Sequence, residues 1–202
     1  LLMAYGALVA LGLSLSPLTA VHGVESALAF GILLPPAVAA SAALDALRWP
    51  ARQSLALLRA TALRSLVAWL LPTVLLAIGS VRVRQCTPLE GLTFMLLGPL
   101  VGVALAAITG LWVGSTFAVG SRAPSRSRRV AVLAAAFPVA ALGLGLYRFW
   151  STPTISIYGA YAGWFPGTIY DEDVALTPTY VSQRVIVLTL TLALTAIWAA
   201  LR

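Results

Sequence analysis

The sequence predicts an all-α polytopic membrane protein with about six transmembrane helices. Three observations lead to this prediction. The chain of 202 residues is 60% hydrophobic and only 9% charged, whereas a soluble domain has about 45–50% apolar and 25% charged residues. It contains six apolar segments of roughly membrane-spanning length, and its arginines cluster in alternate connections. We therefore expect the chain to fold in lipid.

Six segments approach the roughly 20 apolar residues needed to cross about 30 Å of hydrocarbon. The first has neither the basic start nor the cleavage site of a signal peptide, so we interpret it as a span. The third and fifth are short unless their flanks contribute. The predicted spans are Leu1–Ala20, Ser26–Leu47, Leu66–Val81, Leu89–Gly120, Val130–Leu146 and Val181–Leu201. We expect residues 1–202 to form a single transmembrane domain and, because the chain opens inside an apolar run, to be a segment of a longer protein.

All basic residues are arginines, and most lie in the connections after the second and fourth spans. The positive-inside rule places these connections in the cytoplasm. The arginines on that side are Arg48, Arg52, Arg59, Arg64, Arg122, Arg126, Arg128, Arg129 and Arg202, with Asp45 as the only acid. The other side has Arg82, Arg84, Arg148 and Arg184, with Glu25, Glu90, Asp171, Glu172 and Asp173. This pattern predicts a multi-pass membrane protein, and the absence of lysine beside abundant Ala, Leu and Arg, typical of a GC-rich genome, indicates the bacterial cytoplasmic (inner) membrane. The net charge of +7 is explained by orientation in the membrane and by contact with anionic lipid headgroups. We therefore expect no nucleic-acid partner.

Matching residue spacings suggest a repeat of the second and third spans in the fourth and fifth. Pro36 and Trp49 have the separation of Pro99 and Trp112, and in the following spans Pro72, Gly79 and Arg82 match Pro138, Gly145 and Arg148. Both pairs would start outside, giving a parallel repeat about an axis along the membrane normal. The alternative is coincidence, because these residue types have favoured positions in membrane helices. If the repeat is real, Arg82 and Arg148 occupy equivalent places, where they bind a shared anion or extend to lipid headgroups.

The fourth predicted span carries a ridge of small residues at four-residue intervals. Such a ridge allows close helix packing in lipid, either inside this bundle or between two copies of the chain. The ridge consists of Gly98, Gly102, Ala106, Gly110 and Gly114. At 1.5 Å per residue the span would reach about 48 Å, so we expect tilt or a break near Gly98 and Pro99.

Residues 147–180 differ from the rest, because they contain half of the aromatic residues together with prolines, glycines and an acidic run. Aromatic residues favour the membrane interface, so we expect an extracytoplasmic interfacial loop on the outer surface, partly folded over the bundle. Its role is either a lid or docking surface, or an aromatic belt that only closes the bundle. Residues 164–167 (WFPG) predict a turn. The candidate binding residues are Arg82, Arg148, Tyr158, Trp164, Tyr170, Asp171, Glu172 and Asp173.

The sequence does not support catalysis. Without lysine there is no Schiff base and no P-loop lysine. His22, the single histidine, lies in the first outer connection, where an exposed or capping role is expected, and Asp45 is expected to pair with Arg48. We predict no enzyme activity, no cofactor and no metal site. Cys86 should face outward, where it is free, lipidated or paired with another chain.

Three segments resemble the multi-span N-terminal membrane region of large bacterial envelope proteins. They are RFWSTP at 148–153, YAGWFPGTIYDE at 161–172 and CTPLEGL at 86–92. In that group the membrane region precedes a soluble part with helical repeats and a zinc-peptidase-like domain. The resemblance covers about a third of this chain and implies an attached extracytoplasmic part. The zinc motif His-Glu-x-x-His is absent, so no peptidase residue is transferred.

Two functions are compatible with these features. The first is a non-catalytic membrane anchor and interaction module, whose outer loop couples the bundle to an extracytoplasmic domain or a membrane-protein partner. The second is a transporter or channel subunit built on the helix-pair repeat and completed as a homo-oligomer through the glycine ridge. A transporter predicts a polar route between the proline-containing helices, whereas an anchor predicts a dry core.

Overall fold

A computed structural model of the chain describes residues 1–16, 19–49, 53–81, 88–118, 124–152, 156–166 and 176–202. The regular elements among these residues are helices and one β-hairpin. The elements are α1 (Leu2–Ser14), α2 (Val24–Arg48), α3 (Ser54–Ser80), α4 (Pro88–Met95), a π-helical segment (Leu96–Leu100), α5 (Val101–Thr116), α6 (Pro124–Ser151), β1 (Ser156–Gly159), β2 (Gly163–Pro166) and α7 (Pro178–Ala200).

Among the described residues, five helical stretches are long and apolar enough to cross a membrane, which confirms a multi-pass helical architecture. They are Val24–Arg48, Ser54–Ser80, Leu89–Thr116, Arg126–Ser151 and Pro178–Ala200. The first predicted span is wrong in extent, because α1 has 13 residues and covers only about 20 Å. Its helix ends just before Ser16, which precedes a proline in the sequence, and such positions disfavour α-helical backbone.

Helices α3 and α6 are longer than the third and fifth predicted spans. Both extend towards the arginine-rich end of the bundle, where α3 includes Arg59 and Arg64 and α6 includes Arg128 and Arg129. A helix satisfies its own backbone hydrogen bonds wherever it runs, whereas hydropathy detects only its lipid-buried part. The flanks therefore make both helices long enough to span.

The fourth span changes from α-helical to π-helical geometry near Gly98 and Pro99, where tilt or a break was expected, and stays helical throughout. Helices α4 and α5 are joined by the π-helical segment, which contains Gly98 and Pro99. Proline has no N–H to donate to the carbonyl four residues earlier, and widening to a π-helical turn is a common local adjustment.

Helices α2 and α5 form the centre of the bundle and run in the same direction. Their contact follows small residues on both helices, with Ala39 beside Gly110 and Ala43 beside Gly114. A Cβ atom added at Gly114 would lie 2.7 Å from Ala46 Cβ, so a larger side chain has no room. Gly110 and Gly114 of the glycine ridge thus pack against α2 of the same chain.

The sequence shows the matching stripe on α2 only once its partner is known. Ala27, Gly31, Pro35, Ala39 and Ala43 recur every four residues and are all buried. In lipid, close approach of backbones replaces the hydrophobic effect as the main source of helix association. This stripe and the ridge of α5 together form what we call the α2–α5 seam.

The predicted pair of Asp45 with Arg48 is wrong. The Asp45 carboxylate pairs instead with Arg64 of α3, with 2.5 Å between Oδ2 and Nη1. Asp45 is 7% exposed and faces α3, whereas Arg48 is exposed. The helix-helix contact, rather than the spacing along one helix, therefore determines the partner.

Candidate functional site

The loop between α6 and α7 contains a β-hairpin that the sequence did not predict. Strands β1 and β2 pair in antiparallel register, from Ser156 with Pro166 to Gly159 with Gly163. Their aromatic and β-branched residues favour strands. Gly163 has φ of +98°, a left-handed conformation suited to glycine at the end of a three-residue hairpin turn. The predicted turn at 164–167 is wrong for Trp164 to Pro166, which belong to β2; Gly167 lies outside the described residues.

The tip of the hairpin is inserted between α2 and α5 rather than lying on the surface of the bundle. The carbonyl oxygen of Ala162 faces Gly31, and the carbonyl oxygen of Tyr161 faces Gly102. At both glycines an added Cβ would collide with these backbone atoms. Gly31 lies about seven residues, or roughly 10 Å, along α2 from its start. The hairpin is therefore re-entrant, and the expected surface position of the loop is wrong for its tip.

Tyr161 extends this insertion further into the bundle. Its side chain lies near Thr109 of α5, which is about seven residues, or roughly 10 Å, beyond Gly102 along the helix. Tyr161 is 9% exposed and belongs to the buried apolar cluster of the bundle. The ring thus packs within the apolar cluster, while the phenol is directed towards the half-buried Thr109.

Arg184 of α7 holds the other side of the hairpin. Its Nη1 donates to the Ala160 carbonyl at 3.2 Å, and its Nη2 donates to the Gly159 carbonyl. The side chain is 1% exposed, and its Nε has no hydrogen-bond partner in the described structure. No carboxylate of the described residues pairs with it. A buried arginine held by carbonyls is rare and expensive in a membrane protein, and is functional by default.

The first turns of α7 position Arg184. Thr177 caps the helix by accepting from the Tyr180 N–H at 3.2 Å, and Pro178 occupies the first turn, a favourable start for a helix. Tyr180 and Arg184, four residues apart, lie on one face. The Arg184 guanidinium lies 5.6 Å from the Tyr180 ring centroid, within reach of a cation–π interaction.

Tyr180 also links the hairpin to α4. Its ring lies 6.4 Å from that of Tyr158 at an interplanar angle of 21°, and 6.1 Å from that of Phe94. Its hydroxyl lies against Gly98, and an added Cβ there would be 3.3 Å away. We call Tyr158, Phe94, Tyr180 and Arg184 the clamp. It joins α4, α7 and the hairpin into one packed unit.

An apolar cleft lies on the far side of the hairpin tip, between α2 and α6. Its volume is about 140 Å³. Leu146 both lines it and is 49% exposed, so the cleft opens on the outside of the bundle. The lining consists of Leu28, Ile32, Ala141, Leu142, Gly145, Leu146, Gly159, Ala160, Tyr161, Ala162 and Gly163.

The predicted binding residues do not converge on one described site. Tyr158 belongs to the clamp, Arg148 is exposed on α6, and the backbone of Trp164 lies in β2. Arg82, Tyr170, Asp171, Glu172 and Asp173 lie outside the described residues, as does Cys86. His22 contacts the Thr73 carbonyl at 3.0 Å through Nε2, so it joins the first connection to α3.

Arg184 and Tyr161 are the residues that sequence reasoning missed as a site. Arg184 lies within the last predicted span, Val181–Leu201, which is a signal in itself because a charge in a span is costly. By the charge pattern alone, Arg184 is only one of several arginines on the outer side. Within the described residues, no cluster of His, Cys, Asp or Glu could hold a metal. The polar groups of the site are phenols, a guanidinium and backbone carbonyls. These groups are suited to holding the hairpin in a fixed position.

Comparisons with protein-family models, curated proteins and solved structures found no match to this chain.

Proposed function

We propose that this chain is a non-catalytic membrane anchor and interaction module, in which the re-entrant hairpin couples an extracytoplasmic domain or partner to the helical bundle. The observation that carries the proposal is the buried Arg184, which binds two carbonyls of the hairpin from α7. A loop held in this way moves together with the helices that surround it. The acidic run at 171–173 lies in the chain between the hairpin and α7. A partner bound to this run would therefore pull on both the hairpin and α7.

The inserted tip supports coupling rather than a freely moving lid. Contacts of Ala162 with Gly31 and of Tyr161 with Gly102 leave no space for even a methyl group. Interiors packed at this density transmit displacement instead of absorbing it. The resemblance of residues 148–153 and 161–172 to the membrane region of bacterial envelope proteins supports an attached extracytoplasmic part. Under this proposal the protein resides in the bacterial inner membrane, with the hairpin end outside and the arginine-rich end in the cytoplasm.

The transporter alternative has weaker support. The α2–α5 seam is close-packed, whereas transport needs a polar route between these proline-containing helices. The repeat matches Pro36 with Pro99, but the seam places Gly98 beside Ala27 and Gly110 beside Ala39. Pro36 and Pro99, which the repeat matches, therefore lie at different depths, offset by about eight residues, or roughly 12 Å, along the helices. A two-fold axis along the membrane normal would place them at one depth.

A docking experiment tests the coupling. The complete protein, tagged and purified from its own membranes with its bound partner, would be compared with the variant Asp171→Asn, Glu172→Gln, Asp173→Asn. We expect normal insertion and at least a several-fold loss of the partner, because the charges that face it are removed. Glu25→Gln with Glu90→Gln, which neutralises two other acids of the same predicted side, is the matched control. Unchanged partner recovery in the triple variant would contradict the docking role of the loop.

A flux experiment separates the anchor from the transporter. The chain would be reconstituted in vesicles that contain a pH-sensitive dye or a chloride-sensitive dye. We expect the same leakage as from protein-free vesicles, because the seam is dry. Saturable flux by the chain alone would favour the transporter.

A further inference from the structure

The apolar cleft between α2 and α6 is a second site, separate from the clamp. Its walls are Leu28 and Ile32 of α2 and Leu142 and Leu146 of α6, and the hairpin tip closes its inner side. An apolar cavity of about this size stays dry and accepts hydrocarbon. Since it opens on the side of the bundle that would face lipid, the hydrocarbon available to fill it is a lipid acyl chain.

A cation, Arg148, follows the last cleft-lining residue of α6, Leu146, by two positions. Arg148 follows Gly145 by three residues on α6, so both lie on neighbouring positions of one helix face. It is one turn closer to the end of the helix, where the chain leaves the apolar segment. Arg148 is exposed, and it forms no ion pair with a described residue. Arginine binds phosphate strongly through paired N–H donors.

We infer that this cleft binds an anionic phospholipid of the leaflet at the hairpin end, with one acyl chain in the cleft and its headgroup phosphate on Arg148. The apolar walls alone give little preference, because an acyl chain leaves one hydrocarbon environment for another. Selectivity comes from the arginine, which favours a lipid of net negative charge over a zwitterionic one. Neither the anchor role nor the transporter alternative requires this lipid site.

The lipid also has a structural consequence. Gly159, Ala160 and Tyr161 of the hairpin form part of the cleft wall, and the first two supply the carbonyls that Arg184 binds. An acyl chain in the cleft would therefore support the hairpin on the side opposite to Arg184. The composition of the membrane would thus influence how firmly the hairpin is held.

Photolabelling in nanodiscs tests the inference. The full chain would be placed in phosphatidylcholine discs that contain a trace of tail-photoreactive phosphatidylglycerol or, in parallel, tail-photoreactive phosphatidylcholine. Labelled residues are then mapped by mass spectrometry. We expect label at Leu142 and Leu146 to be about fivefold higher with phosphatidylglycerol, the preference that one basic residue provides near a headgroup. Leu144, which is 52% exposed on the same helix, reports ordinary lipid contact and should show no preference.

Two variants separate the headgroup from the cleft. Arg148→Gln should abolish the preference for phosphatidylglycerol, while Arg128→Gln, at the other end of the same helix, should leave it unchanged. Ala141→Leu, which adds bulk to the cleft wall, should reduce labelling of Leu142 and Leu146 by either lipid, whereas Gly143→Leu should not, because an added Cβ at Gly143 meets open space.

Equal labelling by the two lipids, or an unchanged preference in Arg148→Gln, would overturn the inference. Label at Leu144 without label at Leu142 and Leu146 would also overturn the inference, because it would show that lipid tails reach the helix surface but do not enter the cleft. The comparison of the two lipids on the unaltered chain remains decisive even where a variant fails to fold.

Discussion

The indole Nε1 of Trp69 donates a 3.2 Å hydrogen bond to the carbonyl oxygen of Met95. In a regular α-helix that carbonyl would accept from residue 99, which is a proline and has no N–H. Trp69 is 6% exposed and Met95 is fully buried, so the bond joins α3 to α4 in the interior. A tryptophan of one helix thus supplies a donor to the carbonyl that a proline of another helix leaves without its α-helical partner.

Removing this bond should have a cost that depends on Pro99. We expect Trp69→Phe to lower the free energy of unfolding by about 1 kcal/mol, the scale of interhelical hydrogen bonds in membranes. In a Pro99→Ala background the same substitution should cost less, because the backbone N–H at position 99 then serves the Met95 carbonyl. Reversible unfolding in mixed detergent micelles measures all four members of the cycle. Equal effects of Trp69→Phe in both backgrounds would show that the two features are independent.

Loss of the Arg184 side chain should release the hairpin. Arg184→Gln leaves one or both of the Gly159 and Ala160 carbonyls without a donor, and each unsatisfied buried group costs about 1–3 kcal/mol. We expect a destabilisation of roughly 2–4 kcal/mol and faster hydrogen exchange in residues 156–166. Arg184→Lys should be intermediate because an ammonium lacks the paired donors of guanidinium. Arg128→Gln, at an exposed position, is the control, and an Arg184→Gln variant that behaves like it would argue against the clamp.

Alanine at Gly102 should displace the hairpin tip. The new methyl group would overlap the Tyr161 carbonyl oxygen, and overpacking of this kind costs about 1–3 kcal/mol. Gly143→Ala makes the same chemical change where nothing lies within 4 Å and should be neutral or slightly stabilising, since alanine favours a helix. Thermal unfolding of the two variants tests the pair. Similar melting temperatures would mean that the tip is not seated on α5.

The partner of Asp45 can be identified by comparing two arginines. Arg64→Gln removes the observed partner from a carboxylate that is 7% exposed, and we expect a loss of about 1–2 kcal/mol, because Arg64 itself is partly solvated. Arg48→Gln should change stability by less than about 0.5 kcal/mol. Asp45→Asn in each background completes the cycle. Coupling of Asp45 to Arg48 but not to Arg64 would support the pairing predicted from the sequence instead.

Orientation can be measured at Cys86, the single cysteine of the chain. The arginine distribution predicts that this thiol faces the extracytoplasmic side. A membrane-impermeant maleimide should label it in intact spheroplasts without permeabilisation, and Cys86→Ser should remove the signal. Labelling only after permeabilisation would invert the proposed topology.

The sequence anticipated the features that depend on local composition. Apolar length identified five spans, and a local irregularity near Gly98 and Pro99 was one of two alternatives that followed from a helix too long for the bilayer. The ridge from Gly98 to Gly114 was visible because its period belongs to one helix. In each case a single segment carries the whole signal.

Other features required knowledge of which segments meet. The hairpin was missed because its short strands lie in a loop whose aromatic residues resembled an interfacial belt. Arg64 was not expected as the partner of Asp45, since its position depends on the packing of α3 against α2. The stripe from Ala27 to Ala43 looked like ordinary alanine-rich sequence until it lay against α5.

The sequence by itself determined that this protein is a bundle of membrane helices, because hydrocarbon admits only long apolar segments that satisfy their own backbone hydrogen bonds. Only the tertiary structure decided where the polar groups of the α6–α7 loop go. Arg184 and the carbonyls of Gly159 and Ala160 lie 24 or 25 positions apart in the chain, and no local pattern relates them. They meet because a buried guanidinium and buried carbonyls must each find a partner in a medium that offers no water.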